Sequence, residues 1–426
     1  MIFKWDFVNL HLDFAIEITS NIIPPPIYSK PVYQMFELQF TPTIIILLSI
    51  IVVAALYLIL GFRHYVASVS SRITRDNEAP FPTEPSAYPS VSVIVYSEDD
   101  ASNLEILLPQ ILEQQYDGHF EVIVVNDGAV SSTKDVIARL ERRYPNLYMT
   151  FTPLESRSLS RKKLAITLGI KAARYEVIML TTGNCRIESP TWLKCMMRHF
   201  ITGKEVVIGY ATPLIPDDVP NPWKRLHSFD EVRTAVEYLS WAIAERPYRG
   251  NCYNLAYRRS VFFKNKGFSR TLHLKFGDDD LFVNEVANAH NTAVELSTAS
   301  IVEVLDSYPQ IAHRNAKLRY DYTAKSLRTW SRVFFGSCSL AWWILLGSAV
   351  ALSIIGFPSI IPLIAACVIW LAVTITLMFA WRKTSRSLGS RPLLLTVPWF
   401  MTYEPVYNFY YRIKGLFKRG HNLTWN

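Results

Sequence analysis

The chain has 426 residues, half of them apolar, with a formal charge of +8 at pH 7 and five cysteines. That length holds one large domain or two ordinary ones with a sizeable core. The basic excess is not gathered into a clustered face with aromatic platforms, which sets a nucleic-acid partner aside. Cysteines without C-x-x-C pairing read as free thiols in a reducing cytoplasm, not as a disulfide framework or a zinc site.

The first predicted element is the uncharged run Thr43 to Phe62 (TIIILLSIIVVAALYLILGF). It is about 20 residues long, enough to cross roughly 30 Å of hydrocarbon. It is too long and too far from the start for a cleaved signal peptide, so it reads as a permanent anchor. Residues 1–42 hold two lysines and four acids, whereas Arg63, Arg72 and Arg75 follow the run. The positive-inside rule therefore puts 1–42 outside and the segment from about 63 to 336 in the cytoplasm, beneath an inner or plasma membrane. Residues 63–90 read as a linker, because DNEAPFPTEPSAYPS at 76–90 carries four prolines and few large aliphatic residues.

The pattern changes abruptly at Val91. VSVIVY (91–96) and FEVIVV (120–125) are short β-branched runs of the kind buried on both faces of a parallel sheet. Between them, Leu104, Leu107, Leu108, Ile111 and Leu112 recur at helical spacing within 103–115. A helix over 133–143, a strand over 147–152, a helix over 160–173 and a strand over 176–180 continue the alternation. Such a pattern predicts an α/β domain over 91–325, with ligands at the carboxyl ends of its strands. Ser337 to Gly356 and Ser359 to Trp381 are two further apolar spans, with Arg328 and Arg332 before them and Arg382, Lys383, Arg386 and Arg391 after. The tail, 382–426, is aromatic but interrupted by Pro398 and Pro405, which predicts an interfacial segment and not a fourth span. Three spans with no intramembrane polar path argue against a transporter.

The residues that bear chemistry stand just past the strands. Tyr96-Ser97-Glu98-Asp99-Asp100 follows the first and Asn126-Asp127-Gly128 the second. Further on, Gly277 to Phe282 (GDDDLF) places three acids side by side. A helix start favours such acids, but their mutual repulsion also raises at least one pKa toward the range useful for proton transfer.

Four stretches together, VSVIVYSEDD, EVIVVNDGAVSSTKD, SRKKLAITLGIKAARYEVIML with SPTWL after it, and GDDDLFVNE, resemble the inverting family 2 glycosyltransferases of membrane-anchored bacterial type. The likeness covers roughly 90–325 and implies a GT-A fold, a Rossmann-like mixed sheet. It implies that Tyr96, Glu98 and Asp127 frame the nucleotide of a nucleotide-sugar donor. Lys162 and Lys163 would face its ribose or phosphates, although a solvated helix face accounts for either lysine alone equally well. Asp278, counted back from Leu281, is the expected base, Asp279 the second choice, and Asp280 a structural or acceptor-binding residue. In PYRGNCYNLAY (247–257), Arg249, Asn251 and Asn254 fall on the acceptor side, with satisfied turns the simpler account of the two asparagines.

The chain also departs from the pattern. The family's Asp-x-Asp falls on Thr182-Gly183-Asn184, where Thr offers a hydroxyl and Asn a neutral carbonyl. Hard cations prefer charged oxygens, so affinity for Mg2+ or Mn2+ falls and Asn184 is left as a weak metal ligand. Lys162, Lys163, Arg186 and Arg319 are then the cations available to a leaving diphosphate. The Gln-x-x-Arg-Trp motif of polysaccharide-forming relatives falls on Ala316, Arg319 and Tyr320, which keeps only the arginine and counts against a processive synthase. Two expectations follow: transfer of sugar to a lipid-linked or glycan acceptor at the cytoplasmic face, or a catalytically silent relative that binds nucleotide, glycan or a partner enzyme.

Overall fold

The computed structural model describes residues 41–82, 88–98, 100–127, 131–153, 160–215, 220–305, 309–357, 359–391 and 393–417. The segment expected outside the membrane, 1–42, lies almost wholly beyond these. The chain divides into two units, 1–58 with 341–374 and 59–340 with 375–426.

The described chain opens with one continuous helix: α1 (Pro42–Leu56), a π-helical turn (Tyr57–Phe62) and α2 (Arg63–Glu78). Thr41 caps it by accepting from the Ile44 amide, and Pro42 occupies the first turn, where its missing donor costs nothing. Apolar side chains cover α1 all round, with Val53 67% exposed, as lipid contact allows. The predicted linker is corrected here: α2 fills its first part. Val66, Val69 and Ile73 recur at helical spacing and are buried. Arg72 donates to the Val294 carbonyl, and Asp76 accepts from the Leu296 amide at 2.9 Å, so α2 is docked and not free.

Next, β1 (Val91–Ser97), β2 (Phe120–Asn126), β3 (Leu147–Phe151) and β4 (Val177–Thr182) alternate with α3 (Ala101–Leu112), α4 (Ser131–Glu141) and α5 (Arg161–Ala172). Each lies within two residues of its predicted bounds except α3, which ends three residues before the predicted 115. They are followed by β5 (Cys185–Arg186), α6 (Trp192–Ile201), β6 (Val206–Ile208), β7 (Ala211–Leu214) and α7 (Asn221–Ile243). Then come β8 (Leu255–Arg258), α8 (Arg259–Lys264), α9 (Asp280–Val286), β9 (Thr292–Val294), β10 (Val302–Leu305) and α10 (Pro309–Ala324). Among the described residues, the main sheet has seven strands in the order β3-β2-β1-β4-β8-β6-β9, and a second has three in the order β5-β10-β7. β1 to β4 run parallel, and β8 is antiparallel to both β4 and β6. This is a mixed α/β architecture with a mostly parallel central sheet.

Burial on both faces explains the apolar strands: every residue of β1 and β4 is buried. The register sets Tyr96 beside Val125 and Thr182, and Ser97 beside Asn126, so the chemistry-bearing residues emerge along one edge. Leu104, Leu107 and Leu108 of α3 and Trp192 and Met196 of α6 pack into the same core as Val93, Val124 and Met179.

α11 (Thr329–Ile355) and α12 (Ile361–Ser387) are, with α1–α2, the three described helices long and apolar enough to cross a membrane. The tail forms α13 (Val397–Phe417), one helix where a broken segment is predicted. Pro398 falls in its first turn, which tolerates proline, and Pro405 is absorbed within it. Phe400, Glu404, Tyr407 and Tyr411 are buried on one face, while Trp399, Tyr403, Val406, Tyr410 and Ile413 are exposed on another. All five cysteines are free thiols, four of them buried.

Glu295 is fully buried and accepts from Arg198 Nε and Nη2 at 2.7 and 2.9 Å, with His199 Nε2 2.7 Å away. Burial alone would raise its pKa, but His199 and Arg198 hold it below the ordinary value. A depressed carboxylate contributes stability above its unfolded pKa of about 4.3, and that contribution is lost as pH falls through the lower folded value. Glu295→Gln should therefore cost about 3 kcal/mol at pH 7 by removing the carboxylate that pairs Arg198 most closely, with Asp76 left 4.0 Å away. The gap in thermal midpoint between variant and wild type, measured in detergent, should narrow below pH 4.

Candidate functional site

The carboxyl edge of the sheet carries a chain of polar contacts. Asp127, just past β2, is buried; its Oδ1 accepts from Arg161 at 2.6 Å and its Oδ2 from the Tyr96 hydroxyl at 3.1 Å. Arg161 begins α5, and sequence reasoning passed over it for the two lysines that follow. Its signal was present in SRKK, but spacing could not tell which of three adjacent cations turns toward Asp127. Glu98 is exposed at the turn after β1. Partial burial, with Asp127 and Asp100 nearby, raises its pKa.

The two lysines face the protein instead of an open donor site. Lys162 is buried, with Nζ 3.2 Å from Asp278 Oδ2, 3.0 Å from Cys252 Sγ and 5.5 Å from the Tyr96 ring centroid. Burial works most strongly against the charge on Lys162, but Asp278 together with Cys252, Tyr253 and Asp279 raises the pKa. Asp278, also buried, is raised by desolvation, which Lys162 offsets only in part. Lys163 Nζ donates to the carbonyls of Thr271, Leu274 and Phe276, and burial pushes its pKa down to about 8. It clamps the loop that leads into Gly277. That glycine has φ +98°, and a Cβ there would meet Leu281 at 2.5 Å, so the turn requires glycine.

The turn delivers the three acids to three different places. Asp278, the expected base, lies in the core against Lys162. Asp280 is buried, with Oδ2 accepting from the Thr323 hydroxyl and Oδ1 from the Leu281 amide. Asp279 is half-exposed and borders a pocket with Asn251, Tyr253, Phe276, Arg319 and Tyr320. The Cys252 amide donates to its Oδ2 at 3.1 Å and the Asp280 amide to its Oδ1 at 2.7 Å. A second pocket, about 620 Å³, shares Asn251, Tyr253, Arg319 and Tyr320 with the first and extends to Asn184, His227, Glu231 and His313. Arg319 thus stands in the common wall. Arg249 is buried with its guanidinium 3.8 Å from the Tyr320 ring centroid and 3.7 Å from Asp280, where it supports the wall without lining it.

Three further expectations are corrected. Asn254 is fully buried; its amide donates to the Tyr210 and Ser300 carbonyls and its Oδ1 accepts from Trp192 Nε1, so it staples the core and takes no acceptor. Arg186 is held against Asn103 of α3 at 3.1 Å and reaches neither pocket. At the expected metal position, the Thr182 hydroxyl donates to Asn184 Oδ1 at 2.6 Å, and Asn184 Nδ2 donates to the Leu305 carbonyl. The two side chains thus satisfy each other and the neighbouring β10, and no group of three or more His, Cys, Asp or Glu suited to a metal occurs among the described residues. The donor set does not fit a divalent cation.

Breaking a buried pair on one side costs more than removing both charges. Lys162→Met should lower stability by about 3–5 kcal/mol, and adding Asp278→Asn should restore much of it. Thermal unfolding of both single variants and the double variant in detergent checks this; a double loss equal to the sum of the single losses would mean that the pair carries no coupling.

Residues 90–274 match the model of glycosyl transferase family 2. The chain is 28% identical over 148 residues to a dolichyl-phosphate beta-glucosyltransferase from Trichomonas vaginalis, a match that covers 32% of this chain and 44% of the relative. The chain therefore spans less than half the length of that curated relative. Among solved structures it is similar to a mannosyltransferase from Pyrobaculum calidifontis in complex with GDP-mannose and Mn2+. The identity is 17% and the TM-score 0.49, over 87% of this chain and 99% of that one.

Proposed function

We propose that the protein transfers a sugar from a nucleotide-sugar donor to a lipid-linked or growing glycan acceptor at the membrane surface, by inverting displacement with Asp279 as base. The observation that carries this is the placement of Asp279, the half-exposed member of the acidic run, in a pocket it shares with Arg319. Two backbone amides fix its carboxylate without covering it.

The family match over 90–274 supports the reaction class, and the relative's dolichyl-phosphate acceptor supports a lipid-linked one. In this reading Tyr96, Asp127 and Arg161 frame the nucleoside at the ends of β1 and β2. Arg319 meets the diphosphate. Asp279 takes the proton of the acceptor hydroxyl as that oxygen attacks the anomeric carbon; the bond to the diphosphate breaks with inversion and nucleoside diphosphate leaves. An acceptor phosphate is already ionised near pH 7, so Asp279 would have no proton to remove from it. The outward aromatic face of α13 suits the head-group level of a bilayer, where it would meet a lipid-bound acceptor. In the same reading the chain crosses an inner or plasma membrane three times, with the sheet domain on the cytoplasmic side.

Full-length protein in detergent, given a panel of nucleotide sugars and a hydroxyl acceptor, should release nucleoside diphosphate. Asp279→Asn should lower the rate by at least about a hundredfold, and added Mn2+ should change the wild-type rate little. No release by wild type above the variant, with or without Mn2+, would sink the proposal.

The closure of Thr182 on Asn184 favours a second reading, a silent protein that binds nucleotide, glycan or a partner enzyme. Thr182→Asp with Asn184→Asp separates the two. Metal-dependent release that appears only in the double variant would support silence in the natural chain.

A further inference from the structure

His313 on α10 borders the larger pocket yet belongs to no motif in the sequence. It is 2% exposed. Its Nε2 lies 2.8 Å from Asp230 Oδ2 on α7, and its Nδ1 has no hydrogen-bond partner among the described residues. Lys317 pairs with the other oxygen of Asp230. Burial alone would raise the pKa of Asp230, but Lys317 and His313 hold it well below the usual carboxylate range. An ionised carboxylate only accepts, so Nε2 carries the proton of the Asp230–His313 bond, which in the neutral imidazole leaves a lone pair at Nδ1. The imidazole is fixed from behind by Asp230, and its ring stacks on Tyr407 at 6.2 Å between centroids. A buried polar atom left without a partner calls for one, and beside a pocket a bound group can supply it.

The rest of the pocket wall indicates what that ligand is. Glu231, 3.6 Å from His227, adds a second acceptor, and the His227 ring lies 4.6 Å from that of His313. Arg319 and the Asn251 amide supply donors, with Tyr253 and Tyr320 as ring surfaces. A phosphate would meet the Nδ1 lone pair and the Glu231 carboxylate, both of which repel it. A polyhydroxylated ring presents hydroxyl hydrogens to both acceptors and oxygens to the donors.

We infer that the pocket between α7 and α10 is a sugar-reading subsite in which His313 Nδ1 accepts a hydrogen bond from a hydroxyl of a sugar residue, with Asp230 as its positioning residue. This rests on the reading of the chain as a sugar transferase. The sugar is that of the donor or that of a glycan-bearing acceptor, and the two are separable by experiment.

Full-length protein in lipid nanodiscs would be titrated by calorimetry with UDP, GDP, UDP-glucose, UDP-galactose and GDP-mannose. His313→Phe keeps the ring and removes the acceptor. If the donor sugar occupies the subsite, wild type binds one nucleotide sugar more tightly than its nucleoside diphosphate. His313→Phe then loses that margin by about tenfold, the worth of a hydrogen bond of about 1.4 kcal/mol, and keeps its affinity for the nucleoside diphosphate. If the acceptor sugar occupies it, donor binding is unchanged and affinity for a polyprenyl-diphosphate-linked hexose falls about tenfold, with polyprenyl diphosphate alone unaffected. Unchanged binding in every arm, or an equal loss for nucleoside diphosphate and nucleotide sugar, overturns the inference while leaving the transferase reading intact. Absence of any nucleotide binding by wild type would instead remove both.

Discussion

Lys162 and Lys163 enter the protein from consecutive positions of one helix start and hold the same loop in two ways. The first neutralises Asp278 in the core, and the second gathers three carbonyls of the stretch from Thr271 to Phe276. Ser160, at the N-cap of the same helix, donates to the Lys275 carbonyl and completes the clamp. The shape of the proposed site depends on this fastening. With Asp278 held inward and Gly277 turned at positive φ, the next residue, Asp279, has nowhere to project except the cleft. The cost of burying two charges is offset only because they are paired, so the clamp is also a point of fragility.

The same economy of pairing governs the position where a divalent cation would be expected. Two carboxylates at Thr182 and Asn184 would repel each other and need a metal. A hydroxyl and an amide instead close a hydrogen bond and tie to the Leu305 carbonyl, so the strand end is self-sufficient. Positive charge is supplied from other elements: Arg161 at Asp127, and Arg319 in the wall between the two pockets. Below them, Asp230, His313 and Lys317 bind α7 to α10. Lys317 also donates to Asn408, and Arg233 pairs with Glu404, which extends the network to α13. Buried ionic contacts of this kind fix the relative setting of helices more strictly than apolar packing alone, because a shifted helix would strand a charge. They link the helix with the outward aromatic face to the floor of the cleft.

Much of the architecture was legible in advance because it rests on local patterns. Continuous β-branched runs marked β1, β2 and β4, helical spacing of leucines marked α3, and uncharged 20-residue stretches marked the apolar helices. What failed was also local in origin. Proline at 398 and 405 suggested interruption, but packing of Phe400, Tyr407 and Tyr411 kept α13 whole, and the buried face of α2 overrode the polar look of its sequence.

Residue type and period along the chain establish the parallel strand ends, the acidic run at 278–280 and the neutral side chains at 182 and 184. Packing selects which of several adjacent like residues faces the cleft, Arg161 and not Lys162 beside Asp127 and Asp279 and not Asp278 at the pocket, and it brings in His313, which lies outside the motif positions of its helix. Neighbours in sequence differ by about 100° around a helix or by a turn of backbone, so their directions are set by partners far along the chain. Asp230 lies 83 positions from His313, and Cys252 lies 90 from Lys162. Composition and spacing carry no record of those partners.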